Sequence, residues 1–408
     1  MYHCPPGPFS QFRGMSRKFV SGMIRPRSER GHVYIDTYEQ LVEFCDHAAH
    51  AHVLAVDTEF LRERTYHPQL CLVQLGTHDS IAAVDPLAIE DLSPVRALFE
   101  DARITKVFHS CSQDMEVIDC TLGCVPAPIF DTQVAAAFLG QRLQLGYGAL
   151  VEKYEGVHLP KASSLTDWSK RPLDEEQLSY AEDDVRYLPH IYDAMMAELI
   201  ARDRLGWVEP EFQRLCERSR YETDPDEAYL RLKRSSGLSP RQLAVAREVC
   251  AWRERKAMRR NIPRKWVVSD EVLAEACRLA PKSVERLRRI RGAAQLSDRD
   301  AEGLVLAVKR GLDCPKDQQP QPVRHVRHAA DSESVVDLMY ALVRLVSEKS
   351  GVAVQLIASK DDLLTFLTDR DESHLAHGWR YELVGADLDR LLCGEMGLTV
   401  KDSHIEVL

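Results

Sequence analysis

The stretch that most constrains this chain is Val53-Leu54-Ala55-Val56-Asp57-Thr58-Glu59-Phe60, an unbroken apolar run that ends in two carboxylates one residue apart. A short apolar run of this kind reads as a buried strand, which calls for a layered fold that covers it. In an extended chain residues i and i+2 project from the same face, so Asp57 and Glu59 leave the strand end together. Such a pair suits a metal ion, and equally a strand that surfaces in acidic residues. Partners elsewhere in the chain have to decide between the two.

Around this strand the pattern alternates. Residues 32–35 read as a short strand, and Thr37 with Gln40 as a capping box that opens a helix toward Ala51. Residues 70–75 and 80–84 flank Gly76-Thr77-His78-Asp79 as a hairpin; residues 94–100 form a helix and 104–108 a further strand. Strands that give way to alternating helix and strand indicate an α/β layer with a mixed sheet. Beyond Phe108, Ser110 or Ser112 caps a helix with Asp114 in its first turn, where the helix dipole favours a carboxylate by about 0.3–1 kcal/mol. Taken alone, Asp114 is simply a good helix start. Asp131 or Thr132 caps the next helix. Asp174 to Gln177 opens a long helix whose Leu178, Tyr180, Val185, Leu188, Ile191 and Met195 share one apolar face. Tyr180 and Asp184, one turn apart, lie together on that side, whereas Glu182 and Asp183 read as solvated charge.

With 408 residues the chain has room for two or three domains. Its formal net charge of −10 argues against a nucleic-acid partner until the charge is located. Residues 231–312 hold 21 Lys+Arg and 9 Asp+Glu, a net of +12, which leaves −22 on the remainder. A basic module tethered to an acidic body is the usual footprint of phosphate binding, with solvated helix faces as the plainer account. The 11 cysteines form no C-x-x-C pair. The closest spacing, Cys120-x3-Cys124, lacks a second Cys/His pair to complete a zinc site. They read as reduced thiols of a cytoplasmic protein. Every apolar run is broken by charge well before the ~20 residues of a membrane-spanning helix. Residues 1–30 carry Arg13, Arg17, Lys18, Arg25 and Arg27, no acid before Glu29, and no continuous apolar core of a secretory signal. They read as a disordered tail, or as sequence upstream of a start at Met15 or Met23; a transit peptide shares the composition.

Four acids from a strand end and two helices, with a tyrosine beside the last, make a site that two divalent cations, Mg2+ or Mn2+, could occupy. Phosphodiester hydrolysis needs an acidified water and a charge clamp on the attacking and leaving oxygens, which two cations about 3.5–4 Å apart supply. Hard cations take oxygen ligands, so carboxylates are the appropriate residues. A tyrosine hydroxyl, with its ordinary pKa near ~10, orients water better than it deprotonates it.

These residues resemble a known family. Val56-Asp57-Thr58-Glu59-Phe60 is similar to the first exonuclease motif of the DEDD superfamily, residues 109–114 to the second, and Tyr180-Ala181-Glu182-Asp183-Asp184 to the third in its Y-x3-D form, which marks the DEDDy branch. Asp131-Thr132-Gln133, Thr166-Asp167-Trp168 and Arg171-Pro172-Leu173 resemble ribonuclease D. The resemblance spans residues 31–212 and implies an α/β ribonuclease H-like exonuclease domain with a mixed sheet. It implies that Asp57, Glu59 and Asp184 ligate a first metal, that Asp57 bridges to a second held by Asp114 through water, and that Tyr180 positions the nucleophile. The expected activity is a metal-dependent 3′→5′ exoribonuclease releasing 5′-mononucleotides, with RNA, tRNA precursors in particular, as substrate. A DNA exonuclease of repair type and a nucleic-acid-binding module without nuclease activity are the alternatives.

Within a domain over residues 232–313, residues 238–312 read as all-helical, with helices at 243–260, 270–279, 283–290 and 298–310. Residues 249–257, Asn261-Ile262-Pro263 and Val267-Val268-Ser269-Asp270 resemble an HRDC domain, which implies auxiliary nucleic-acid binding. Its densest cationic cluster, Arg253, Lys256, Arg259, Arg260, Arg264 and Lys265, is the expected phosphate contact, and Trp252 the expected core residue. Residues 314–330 form a linker in which His325 and His328 are solvated. Residues 331–408 form a smaller C-terminal domain with helices at 335–346 and from Asp361, and a final hairpin over 398–407. Residues 378–385 resemble the tail of some ribonuclease D-like proteins, where a second, degenerate HRDC domain can lie.

Overall fold

A mixed sheet of six strands, in the order β1-β4-β3-β2-β5-β6, organises the N-terminal domain. The computed structural model describes residues 32–160, 166–235, 237–322 and 330–408; the tail over 1–30 and the histidines at 325 and 328 lie outside the described residues. The strands are β1 His32–Ile35, β2 Val53–Leu61, β3 Gln69–Gly76, β4 Ile81–Val84, β5 Thr105–Phe108 and β6 Ile129–Asp131. β2 pairs antiparallel with β3 and parallel with β5, so the apolar run that carries Asp57 and Glu59 is a central strand. The 70–84 hairpin forms as the sequence indicates, β3 antiparallel to β4.

Helices α1 Tyr38–Ala48, α2 Ser93–Glu100, α3 Ser112–Leu122, α4 Thr132–Phe138, α5 Tyr147–Glu155, α6 Glu175–Arg186, α7 Leu188–Ala201 and α8 Leu205–Leu215 complete this domain. Thr37 accepts from Gln40 N as expected. The helix expected to run unbroken beyond Asp174 is two helices, because Pro189 at the start of α7 has no amide hydrogen for the preceding turn and restricts the residue before it. Glu182 also departs from expectation: it is buried and paired with Arg186 at 2.9 Å rather than solvated.

The basic segment folds around a core of its own, from Ala228 to Val308. It contains α9 Pro240–Arg260, α10 Arg264–Val267, α11 Asp270–Leu279, α12 Val284–Leu287 and α13 Asp298–Leu312. Ser239, Ser269, Ser283 and Ser297 cap α9, α11, α12 and α13. The expected helix over 283–290 is only the single turn α12. Trp252 is core-packed: a Cβ added at Gly303 would lie 2.7 Å from its Nε1, and Lys256 stands 5.4 Å from the ring centroid.

The C-terminal unit repeats this helical order. Its α14 Ala330–Ser350, α15 Val354–Ile357 and α16 Lys360–Thr368 each start 90 residues after α9, α10 and α11. Both long helices end on a left-handed residue, Asn261 (φ 47°) and Gly351 (φ 69°). Val268 (φ −165°, ψ 142°) and Ala358 (φ −160°, ψ 143°) make the same extended step before a serine cap. Beyond lie α17 Gly378–Arg380, a π turn Tyr381–Gly385, α18 Ala386–Leu392 and the hairpin β7 Leu398–Lys401 with β8 His404–Val407. Asp402 and Ser403 both have positive φ, as a two-residue hairpin turn of type I′ requires. Unlike the basic segment, this unit shares the exonuclease domain's hydrophobic core. Trp379 packs on Phe138 and Trp207, and Arg204 donates to the carbonyls of Phe138 and Ser350.

Candidate active site

The end of β2, the first turn of α3 and the middle of α6 converge. Oxygens of Asp57, Glu59 and Asp184 lie within 4.8 Å of one another, an arrangement that could hold a metal ion. Three local features make the convergence possible. The β2–β3 register shifts between Glu59 and Phe60, and a bulge there re-aims the strand end. Gly76 lets α6 approach the sheet closely, since a Cβ there would lie 3.1 Å from the Val185 carbonyl oxygen. Arg171 anchors the segment before α6 through a bidentate pair with buried Asp85 (2.5 and 2.7 Å) and a bond to the Cys71 carbonyl at 2.7 Å.

Asp114 is buried, and the Thr58 hydroxyl donates to it at 2.5 Å. Thr58 was not singled out from the sequence; its signal is a hydroxyl between two acids on a buried strand. Neither Ser110 nor Ser112 caps α3. Asp131, besides capping α4 through Gln133 N and Val134 N, braces the turn before α3 by accepting from Ser110 N at 3.2 Å and Cys111 N at 2.8 Å. This brace fixes the turn that delivers Asp114.

Electrostatics mark the cluster as incomplete on its own. Burial, then the charges of Asp114, Asp184 and Glu59, push the Asp57 carboxyl well above its ordinary value. Burial and the neighbouring acids push Glu59 up to about 8. Asp114 and Asp184 rise to about 7, burial again the largest cause, with hydrogen bonds from Thr58 and Tyr180 opposing it. Asp184 Oδ2 is buried with no hydrogen-bond partner among the described residues. Four carboxylates that raise one another, with an orphaned oxygen, are chemically matched to a divalent cation, which would reverse the field and satisfy that oxygen.

Burial and the Asp184 charge raise the pKa of Tyr180, so its hydroxyl stays protonated beside Asp184. Two residues that sequence reasoning missed stand behind it. Tyr147 donates to the Asp183 carbonyl at 2.7 Å, and its ring tilts against His109 with centroids 5.5 Å apart. His109 Nε2 faces the Leu145 carbonyl at 3.0 Å and donates to it, while Nδ1 lies 2.9 Å from the Thr132 hydroxyl, which also reaches the Phe108 carbonyl at 3.0 Å. With both nitrogens engaged and burial lowering its pKa, His109 is a neutral brace.

The cationic cluster on the basic segment divides. Arg253 is buried, paired with Asp270 at 2.6 Å and bonded to the Val268 carbonyl, while Lys256 is paired with Asp300. Both hold the helical bundle together, which corrects their expected place on a phosphate-binding surface. Arg259, Arg260, Arg264 and Lys265 are exposed. Beside them in the chain Trp266 is 55% exposed. Asn261 links the two domains: its Oδ1 accepts from Tyr66 N at 3.1 Å and His67 N at 3.0 Å, and the Tyr66 hydroxyl donates to Glu254. A cleft of about 950 Å³ lies at this junction, with Arg62 on one side and Arg264 and Lys265 on the other.

Comparison with known proteins fits this architecture. A 3′-5′ exonuclease family model matches residues 32–200 and an HRDC domain model residues 242–299. Ribonuclease D of Jannaschia sp. is 41% identical over 386 residues, covering 92% of this chain and 98% of that protein. Ribonuclease D of Acidiphilium cryptum is 39% identical over 381 residues, covering 92% and 97%. The chain belongs to the ribonuclease D family. The crystal structure of Escherichia coli RNase D, an exoribonuclease involved in structured RNA processing, superposes with a TM-score of 0.79 at 33% identity, covering 89% of this chain and 99% of that one. As a ribonuclease D the chain is a 3′→5′ exoribonuclease that acts on RNA, of the exonuclease class that uses divalent metal ions. No helix among the described residues is long and apolar enough to cross a membrane.

Proposed function

We propose that the chain trims the 3′ ends of structured RNAs, tRNA precursors foremost, and releases 5′-mononucleotides. Asp57, Glu59 and Asp184 hold one divalent cation, Asp57 and Asp114 share in holding a second, and Mg2+ or Mn2+ is the metal. The observation that carries this reading is the Asp57–Glu59–Asp184 oxygen cluster with its buried, unpartnered Asp184 oxygen. Bound there, the cations acidify water and neutralise charge at the scissile phosphate. The chain's residues supply the rest. Thr58 and Asp131 fix Asp114. Tyr180, protonated and hydrogen-bonded to Asp184, orients the attacking water as a hydrogen-bonding partner rather than as a base.

RNA reaches this site past the basic segment. Arg259, Arg260, Arg264 and Lys265 contact phosphates and Trp266 offers a stacking face, a combination that binds single strands without reading sequence. The C-terminal unit is a second HRDC-like bundle, supported by the recurrence of its helix starts and its serine-capped step. Its shared core with the exonuclease domain makes it a fixed part of the body.

The test is a gel assay with 3′-labelled tRNA precursor and matched DNA, with and without chelator. Mononucleotides are expected from the RNA alone, only with metal, and Asp57→Ala is expected to abolish release while RNA binding persists. Equal degradation of DNA overturns the substrate assignment. Turnover by Asp57→Ala in added Mg2+ overturns the metal assignment.

A further inference from the structure

A second group of potential metal ligands lies outside the acidic site, at the turn of the β3–β4 hairpin. His78 sits in this turn, and His190 and Asp193, three residues apart, project from one side of the first turns of α7. One ligand atom from each lies within 4.8 Å of the others. His78 Nε2 is 2.8 Å from Asp193 Oδ2, and the two imidazoles meet edge to face with centroids 5.2 Å apart.

Both supports are rigid. The turn is closed by Thr77 N donating to the Ser80 carbonyl at 2.8 Å, while the Thr77 hydroxyl accepts from Asp79 N and Ser80 N at 3.2 and 3.0 Å. α7 is held from its opposite side by buried Leu188, Ile191, Tyr192 and Met195. Glu155, at the end of α5, is near enough to His190 for their charges to interact, and adds a carboxylate to the rim.

We propose that His78, His190 and Asp193 form a second cation site, selective for zinc-class ions. Two imidazoles and one carboxylate are the donor set of borderline cations such as Zn2+, Cu2+, Ni2+ and Co2+, whereas Mg2+ prefers oxygen and water. The all-carboxylate site and this one therefore sort metals by ligand chemistry. Ligands at about 2.0–2.2 Å from a common ion stand roughly 3–3.5 Å apart, so small side-chain rotations within the present cluster complete the shell. The ion takes the place of the proton on His78 Nε2, which passes to Nδ1 or to water. It would tie the hairpin to α7 just beyond the α6 helix that carries Tyr180 and Asp184.

The test uses the full chain in excess Mg2+, which occupies the acidic site. Calorimetric titration with Zn2+ is expected to show one further equivalent, weakened at least about tenfold in His78→Ala and in His190→Ala. Cu2+ added to the same protein is expected to give an electron paramagnetic resonance spectrum with nitrogen superhyperfine splitting, lost in His190→Ala and kept in Asp57→Ala. Both histidine variants are expected to keep exonuclease activity, which also reports that they fold. Equal Zn2+ binding by the parent and both histidine variants overturns the proposal, as does loss of the equivalent in Asp57→Ala alone.

Discussion

Glu59→Gln separates the cost of the acidic cluster from its use. In the cation-free protein the Glu59 carboxyl is pushed from 4.5 up to about 8, by burial first and then by Asp184 and Asp114. A folded value raised above the unfolded one means that ionisation destabilises the fold. The penalty is absent at pH below the unfolded value, grows as pH rises through it, and levels off above the folded value. At pH 8 the unfolded chain bears this charge almost in full while the folded chain is about half protonated. At ~1.36 kcal/mol per unit the difference is on the order of 4 kcal/mol, falling below about 1 kcal/mol at pH 5. Glutamine keeps the shape and removes the charge. In chelator, the melting transition of the exonuclease domain is therefore expected to rise by about 8–16 °C at pH 8 and by less than about 3 °C at pH 5. The same variant is expected to lose RNA hydrolysis, since a metal ligand is gone. Thermal melting at both pH values, with chelator and again with Mn2+, reads this directly. The parent should gain more from Mn2+ than the variant does. A Glu59→Gln protein no more stable than the parent in chelator at pH 8, or equally stabilised at pH 5, refutes the electrostatic account.

Four further outcomes follow from the same geometry. Tyr180→Phe removes the hydroxyl beside Asp184 and none of the carboxylates, so single-turnover cleavage should slow by about 10²–10⁴-fold with Mn2+ affinity unchanged; a proportional loss of metal binding would assign Tyr180 a structural part. Replacing the exposed Arg260 and Lys265 together by alanine should weaken binding of single-stranded RNA and reduce the salt slope by about 2, with melting unchanged. Arg253→Ala should instead destabilise the basic domain by about 3–5 kcal/mol by leaving Asp270 unpaired, read by chemical denaturation. Asn261→Gly keeps the left-handed cap of α9 and cuts its bonds to Tyr66 and His67. It should lower kcat/KM on long RNA and leave hydrolysis of a dinucleotide unchanged; equal loss on both would place Asn261 in the stability of the exonuclease site.

The sequence by itself determined most of the elements and nominated the acids. The apolar run into Asp57-Thr58-Glu59, the serine caps of the basic bundle, and the positive-φ turn between two alternating segments are local signals, and local physics reads them. It also located the basic charge between residues 231 and 312. What only the tertiary structure decided is which of those residues are free to act. Asp114 in isolation is a favourable helix start; the Thr58 hydroxyl, 56 residues earlier in the chain, makes it part of the cluster. Arg253 and Lys256 look the same as Arg259 and Arg260 in the sequence, yet two of the four are consumed by Asp270 and Asp300. The raised carboxyl values belong to no single residue, because they arise when acids from β2, α3 and α6 are buried close enough for their charges to act on one another. The pairing of His78 with Asp193 likewise joins positions 115 residues apart. Sequence spacing carries information over a turn or a strand pair, and such long-range approaches depend on how the sheet and helices pack.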